Sequence, residues 1–151
     1  KLKVDYPEMD EERKILRSSA RTSIAKQKKS TITAASIVRA QKSINDIYVD
    51  EKVEDYVLSL VFATRDPQKY GLKDMVQLIH YGASPRASIN LILASKARAF
   101  LEGRGYITPE DVRYIGKDIL RHRIILTYEA EAEELTSEDI IQRLFDSIEI
   151  P

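Results

Sequence analysis

Residues 81–87 combine a well-marked helix start with a cation that helix electrostatics disfavours; they read Tyr-Gly-Ala-Ser-Pro-Arg-Ala. Ser84 is a good N-cap, because its hydroxyl can accept from a free backbone N–H of the first turn. Pro85 suits the first helical position, where no N–H is needed. Arg86 then falls in the first turn, beside the positive end of the helix dipole, where a cation costs roughly 0.3–1 kcal/mol. A bound anion would reverse that cost.

Free backbone N–H groups and a guanidinium together form an arrangement suited to phosphate. The N–H groups point along the helix axis, and arginine offers a planar pair of donors. The alternative is that Arg86 is a surface side chain bonded to a carboxylate of a neighbouring helix. Local physics leaves both interpretations open, since no phosphate-binding glycine loop accompanies the segment.

Composition indicates a soluble protein with one hydrophobic core. The chain has 151 residues, of which 43% are hydrophobic and 32% charged, values typical of a single globular domain. The 24 Lys and Arg residues balance 24 Asp and Glu residues, so a nucleic-acid role would need a local basic patch. The basic run at residues 26–29 is such a patch, but cations at the solvated end of a helix explain it more simply.

Several other kinds of site are not expected. The chain has no cysteine, which excludes a disulfide framework and a thiolate nucleophile, and His80 and His122 lie far apart in sequence, which argues against a metal site. No apolar run approaches the roughly 20 residues that span a bilayer. The first residues lack the apolar block of a signal peptide. We therefore expect a cytoplasmic protein without membrane insertion.

The hydrophobic periodicity predicts six helices and no sheet of consequence. Each helix begins after a cap residue: Asp10, Thr33, Asp50, Ser84, Thr108 and Thr136. An aspartate follows each of the last two caps by three residues, as in a capping box. Gly103 provides a left-handed stop for the fourth helix. The expected fold class is mainly α, a helical bundle with short connections.

Two helices have apolar faces from which a core can be predicted. The face of the third consists of Val53, Tyr56, Val57, Leu60 and Val61. The predicted face of the fourth consists of Ile89, Ile92, Leu93, Ala97 and Phe100. Both sets follow the helical period. Residues 66–83 instead contain turn signals and a short apolar piece that fits either a helical turn or a strand, and residues 123–128 are β-branched and could extend.

The first seven residues alternate apolar and polar side chains. Leu2, Val4 and Tyr6 share one face of a potential strand, which Pro7 ends. The pattern fits either the end of a sheet belonging to a preceding domain or a short edge strand that pairs with a later segment. The expected organisation is a strand remnant at residues 1–7, a helical domain at 8–128, and an acidic connector with a last helix packed on that domain at 129–151.

The order and spacing of seven short segments identify a resemblance. In chain order these segments are residues 3–7, 63–65, 82–87, 94–99, 103–104, 108–112 and 120–124. Each is weak alone, but together they resemble the C-terminal lid domain of MoxR-type AAA+ ATPases over most of residues 3–128. Beyond Tyr128 the resemblance fades.

The resemblance implies a role for the helix start. In that family the lid follows a nucleotide-binding α/β core, and the arginine in the position of Arg86 is the sensor 2 residue, which contacts the phosphates of ATP. Arg86 is then a catalytic residue, with Ser84 and Pro85 beside it at the phosphate end of ATP. Magnesium is held by the core, and loss of the γ-phosphate lets the lid rotate. Without the core's phosphate loop, residues 1–151 are not expected to hydrolyse ATP alone.

The resemblance also implies partners. These are the chain's own AAA+ core domain, further copies in a homo-oligomeric, hexameric ring, and proteins with von Willebrand A domains, on which members of the family act as chaperone-like factors. Arg65 and Arg123 are further candidate site residues. Arg123 could lie at the nucleotide or the neighbouring subunit, or it could bond helix-end carbonyls or a core carboxylate. A salt bridge to the core is the simplest use of Arg65.

A competing hypothesis makes the chain a stand-alone helical module that binds a protein or a nucleic acid, using the basic run at 26–29 and Arg39. It accounts for the missing catalytic motifs without a second domain. It does not account for the strand pattern at residues 1–7 or for an arginine at a helix start.

Overall fold

The computed structural model describes residues 1–20 and 31–151. Within them lie seven α-helices: α1 (Met9–Ser19), α2 (Ala34–Asn45), α3 (Glu51–Ala63), α4 (Pro85–Leu101), α5 (Pro109–Leu120), α6 (Tyr128–Ala132) and α7 (Ser137–Ser147). Two short strands, β1 (Ile79–Tyr81) and β2 (Ile125–Leu126), form an antiparallel pair. The mainly α fold class is confirmed. The basic run at residues 26–29 lies outside the described residues.

Four of the predicted helix starts are made by the side chains that the sequence indicated, including the start of α5, where Thr108 and Asp111 form the predicted capping box. Thr33 Oγ1 accepts the N–H of Ser36 at 3.1 Å, and Asp50 Oδ1 accepts the N–H of Lys52 at 3.0 Å. At α7, the N–H of Thr136 donates to Asp139 Oδ2 at 2.8 Å, while Thr136 Oγ1 accepts the N–H of Asp139 at 3.3 Å. Each cap satisfies a donor that the helix itself cannot.

Two predicted caps are wrong in detail. The first helix begins at Met9 with Glu8 as its N-cap rather than Asp10, because Glu8 and Glu11 form the reciprocal bonds of a capping box and Asp10 instead pairs with Arg13 at 2.6 Å. α4 begins at Pro85 as predicted, but the hydroxyl of Ser84 makes no cap hydrogen bond. The first turn closes through the backbone, with the Ala87 N–H donating to the Ser84 carbonyl at 2.8 Å.

The core lies where α3, α4, α5 and α7 meet. All five residues predicted for the apolar face of α3 are buried, which confirms that prediction. α4 packs against both α3 and α5, and α7 packs against α3 and α5. From α7 the core receives Ile140, Ile141, Leu144 and Phe145. The α7 helix therefore belongs to the same core as the rest of the bundle.

None of the five residues predicted for the buried face of α4 is fully buried, although Ile92 and Phe100 are partly buried against the core. The buried stripe consists of Ala87, Leu91, Ser95 and Ala99. Ile89 and Leu93 are instead 58% and 50% exposed. Apolar side chains occur on more than one side of α4, so periodicity does not identify the inner face. The small side chains of the buried stripe allow α4 to approach its neighbours closely.

Residues 66–83, for which the sequence fits either a helical turn or a strand, contain both. Two 3-10 turns, Pro67–Tyr70 and Lys73–Met75, precede β1, in which Ile79 pairs with Leu126 of β2. The extended prediction for residues 123–128 holds only for β2. Tyr128 already begins α6, a short helix that the sequence analysis did not predict. Thr127 caps α6 by accepting the N–H of Ala130 at 3.3 Å.

Residues 1–8 have no regular secondary structure. Leu2, Val4 and Tyr6 are all at least 80% exposed, and none pairs with a strand in the described part of the chain. The alternative in which these residues form an edge strand with a later segment is therefore not observed there. That they complete a strand of another domain stays a prediction. None of the described helices is long and apolar enough to cross a membrane.

Candidate functional site

Arg86 occupies the second position of α4 and is exposed. Its guanidinium makes no hydrogen bond or ion pair with any other residue that the structure describes. The alternative in which Arg86 pairs with a carboxylate of a neighbouring helix is therefore not observed among residues 1–20 and 31–151. Within these described ranges, nothing compensates the cation at the positive end of a helix of 17 residues.

The backbone beside Arg86 also has donor capacity left. Pro85 has no N–H, and the N–H of Ala87 is used by the Ser84 carbonyl. The N–H of Arg86 has no partner among the described residues. The exposed Ser84 hydroxyl is likewise free of a cap bond. A guanidinium, an N–H group and a hydroxyl thus occur together at this helix end, and all three can donate to an anion.

Thr64 fixes the backbone that leads into this turn. It is only 1% exposed, and its hydroxyl is fully used, donating to the Val61 carbonyl at 2.6 Å and accepting the N–H of Ala83 at 2.8 Å. The first bond closes the end of α3 and the second joins that end to the start of α4. Sequence reasoning missed Thr64 as a contributor, although it lies in one of the segments that carry the resemblance.

Arg65 bonds the same stretch of backbone as Thr64, but at the carbonyl of Ala83 instead of its N–H. Its Nε donates to the carbonyl oxygen of Ala83 at 2.6 Å, and its guanidinium lies over the Phe62 ring, 4.9 Å from the centroid. Arg65 forms no ion pair with a carboxylate in the described part of the chain. The structure thus brings Arg65 together with residues 82–86. A salt bridge from Arg65 to another domain stays a prediction.

Gly82 allows the two segments to meet. A Cβ atom on Gly82 would lie 2.3 Å from the carbonyl oxygen of Thr64 and 2.8 Å from the backbone nitrogen of Arg65. Both contacts are with backbone, which cannot rotate away as a side chain does. Glycine is therefore required here for close approach rather than for a left-handed conformation.

Arg123 belongs to a different part of the molecule. Its Nη1 donates to the Ile119 carbonyl at 2.7 Å, near the end of α5, and also contacts Nε2 of His122. Burial and repulsion by Arg123 lower the pKa of His122 below 6.5. These contacts match the helix-end alternative for Arg123, and none of them reaches residues 82–86. A role for Arg123 at the nucleotide or a neighbouring subunit stays a prediction.

Asp111 is the centre of an ion cluster, whereas the sequence analysis assigned this residue only to a helix cap. Its carboxylate is 1% exposed and accepts from Arg98 Nε at 3.0 Å, from Arg104 Nη2 at 2.6 Å and from the Thr108 N–H at 2.9 Å. Burial alone would raise the pKa of Asp111, but the bonds from Arg104 and Thr108 outweigh burial and hold the pKa below its usual value of 3.8. The cluster joins α4 to α5.

Arg98 joins this ion cluster from α4. Its side chain is only 25% exposed, and its guanidinium lies 3.4 Å from the centroid of the Tyr114 ring. The sequence contained one signal for this ion cluster, because Arg98, Arg104 and Asp111 lie in three consecutive segments of the resemblance.

No group of three or more His, Asp or Glu side chains in the described part of the chain could hold a metal ion.

Comparison with known proteins agrees with the fold of the chain. A family model described as the AAA lid domain matches residues 75–144. Chaperone MoxR1 of Mycobacterium tuberculosis is 37% identical over all 151 residues, and protein MoxR of Methylorubrum extorquens is 32% identical over 111 residues, or 70% of the chain. The chain spans 40% of the length of the first relative and 32% of the second.

A solved structure gives the same result for the fold. A provisionally assigned ATPase from Cytophaga hutchinsonii is 37% identical and superposes with a TM-score of 0.93, covering 98% of this chain and 45% of the solved one. Because the helical bundle, the lid-domain match and the likeness to MoxR proteins along the full chain agree, the chain belongs to the MoxR-type AAA+ ATPases and forms a lid domain of that family.

Proposed function

We propose that this lid senses the nucleotide bound by a MoxR-type AAA+ ATPase, with Arg86 as its sensor 2 arginine. The observation that carries the proposal is the exposed guanidinium of Arg86 in the first turn of α4, which pairs with none of the residues that the structure describes. A buried or ion-paired arginine would already have its counter-charge. Arg86 instead has a position in which only an external anion makes its placement favourable.

The donors at this helix end fit the phosphates of ATP. When bound, ATP supplies several negatively charged oxygens, and Arg86, its own N–H and the Ser84 hydroxyl would hold the phosphate end, beside Pro85. Magnesium would be held by the AAA+ core, since the described residues offer no cluster for it. Arg86 stabilises charge that develops during phosphoryl transfer, which is mainly an electrostatic task.

The same contact couples nucleotide state to lid position. With the γ-phosphate present, Arg86 binds the lid to the nucleotide and thereby to the core. After hydrolysis the guanidinium loses part of its partner, so the lid is free to rotate relative to the core. Such coupling requires differential contact between the two states, and Arg86 supplies it.

The setting of this activity follows from the family. We propose that the lid acts beside its own AAA+ core in a homo-oligomeric, hexameric ring in the cytoplasm, as part of a chaperone-like ATPase. The relative named chaperone MoxR1 supports this setting. Proteins with von Willebrand A domains are the proposed partners of the assembled ring.

Steady-state ATP hydrolysis by the full-length protein tests the proposal. Replacing Arg86→Ala should lower turnover by about 10²-fold, because a preorganised charge is removed from the transferred phosphate. The melting temperature should not fall, since an exposed side chain without partners is removed. Arg143→Ala is the matched control, because Arg143 is also an exposed helix arginine, on α7. Unchanged turnover in Arg86→Ala with normal nucleotide affinity would refute the sensor assignment.

A further inference from the structure

We propose that Thr64 and Arg65 are positioning residues for Arg86, a role that rests on the proposed sensing function of that arginine. Together with Gly82 and Ala83 they form what we call the α3–α4 junction. The structure describes no contact of either residue with Arg86 itself. They act on the backbone from which Arg86 extends.

The junction fixes both polar backbone groups of Ala83. Its N–H donates to Thr64 Oγ1 at 2.8 Å, and its carbonyl oxygen accepts from Arg65 Nε at 2.6 Å. These two bonds set the peptide planes on either side of one residue, whose own side chain is fully buried. Ala83 therefore cannot rotate without breaking one of the two bonds.

Little freedom remains between Ala83 and Arg86. Only Ser84 and Pro85 separate them, and the ring of Pro85 fixes its φ angle. Gly82 adds a steric restraint, because its Cα packs so closely on Thr64 that a Cβ atom would lie 2.3 Å from the Thr64 carbonyl oxygen. The Cα position and direction of Arg86 thus depend on the end of α3, which is anchored by buried Leu60 and Val61.

Correct placement of a charge is what a phosphate sensor requires. Misplacement by about 1 Å can cost about 10²-fold in rate even when the group itself is intact. The Ser84 hydroxyl does not hold the helix start, since it makes no cap bond. The bonds of Thr64 and Arg65 instead hold Ala83, the residue before Ser84, so a tertiary contact fixes the backbone that enters α4.

The role differs from direct contact between Arg65 and the nucleotide. A residue that acts only through Arg86 loses its effect on catalysis once Arg86 is absent, whereas a residue that contacts phosphate keeps it. A double-mutant cycle separates these cases, because coupling between the two sites appears as non-additivity. A loss of folded protein would lower activity equally in both backgrounds.

The experiment uses the full-length protein with ATP and Mg²⁺. Thr64→Val removes the hydroxyl at nearly constant volume, Thr64→Ser keeps it, and Arg65→Met removes the Nε donor from an exposed side chain. Each change is made with Arg86 present and with Arg86→Ala. The readouts are kcat and KM for ATP, the affinity for a fluorescent ATP analogue, and the melting temperature.

We expect Thr64→Val and Arg65→Met to lower kcat by about tenfold when Arg86 is present, a smaller loss than its deletion causes. Thr64→Ser should restore at least half of the wild-type kcat. In the Arg86→Ala background the same changes should leave both kcat and analogue affinity unaltered. If Thr64→Val does not fold, Arg65→Met provides the same comparison, because it removes the other bond to Ala83.

Two results would overturn the positioning role. Losses of equal size in both backgrounds would show direct or purely structural action, and wild-type kinetics in Arg65→Met and Thr64→Val would show that the junction is dispensable. Failure of the underlying sensor function has a separate signature, because Arg86→Ala alone would then match wild type in both turnover and affinity.

Discussion

The two arginines of α4, Arg86 and Arg98, have opposite environments. Arg98 donates to a buried carboxylate at 3.0 Å and lies over an aromatic ring. Arg86 is exposed and has no partner among the described residues. Asp111 supplies the counter-charge of Arg98, whereas no residue in the ranges 1–20 and 31–151 supplies one for Arg86. The first pattern is typical of a structural ion pair, and the second of a binding group.

The sharpest test of this difference removes the counter-charge of Arg98. Asp111→Asn should reduce the free energy of unfolding by about 3 kcal/mol, because two arginines lose a buried partner. Urea denaturation measures the loss. Asp5→Asn serves as the control, since that carboxylate pairs with Lys3 at 3.5 Å but is 74% exposed. If Asp111→Asn lost no more stability than Asp5→Asn, within error, the ion cluster of Asp111 would not be structural.

The effect of Asp111→Asn should also depend on pH. The folded-state pKa of Asp111 lies below its usual value of 3.8, so its carboxylate stabilises the fold at pH values above about 4. That contribution is lost as the pH falls through the lowered pKa. The difference in stability between wild type and Asp111→Asn should therefore be constant from pH 7 to 5 and shrink below pH 4.

Denaturation curves at pH 7, 5, 4 and 3 check this dependence. The same series on Asp5→Asn controls for general acid effects. If the difference between wild type and Asp111→Asn stayed constant down to pH 3, the ionised carboxylate would not be the stabilising group.

The smallest predicted effect is a gain in stability rather than a loss. Arg86→Gln should raise the stability of the chain without nucleotide by about 0.3–1 kcal/mol, because it removes a cation from the positive end of a helix dipole. Low-salt denaturation at pH 7 measures the gain, and 1 M salt should reduce it. Destabilisation by this change would mean that Arg86 has a structural partner.

Local chemistry explains why helix starts were predicted well. Thr33, Asp50 and Thr136 each bond an N–H within three residues, so sequence neighbours are enough to specify the cap. The start of α4 at Pro85 was found for the same reason. Its bonding was not, because the backbone leading into α4 is held by Thr64 Oγ1, which accepts the Ala83 N–H, and by Arg65 Nε, which donates to the Ala83 carbonyl, rather than by Ser84.

The inner face of α4 could not be predicted from periodicity. Ile89 and Leu93 fit a helical stripe as well as Ala87 and Leu91 do, yet only the latter pair is buried. Which side of α4 is buried depends on how closely α3 and α5 can approach it. The side with more small residues is buried because it allows closer packing. The partners of Asp111 were missed for a related reason, since no spacing rule links it to Arg98.

The sequence by itself determined most of the helix starts, the presence of an apolar core and the placement of a cation in a first helical turn, where an anion would favour it. These follow from bonds and dipoles that act over one or two helical turns. The tertiary structure decided which face of α4 is buried, which arginine is paired, and how Ala83 is fixed by residues that lie 18 and 19 positions earlier in the chain. Such contacts depend on how helices pack in space, which sequence distance does not specify.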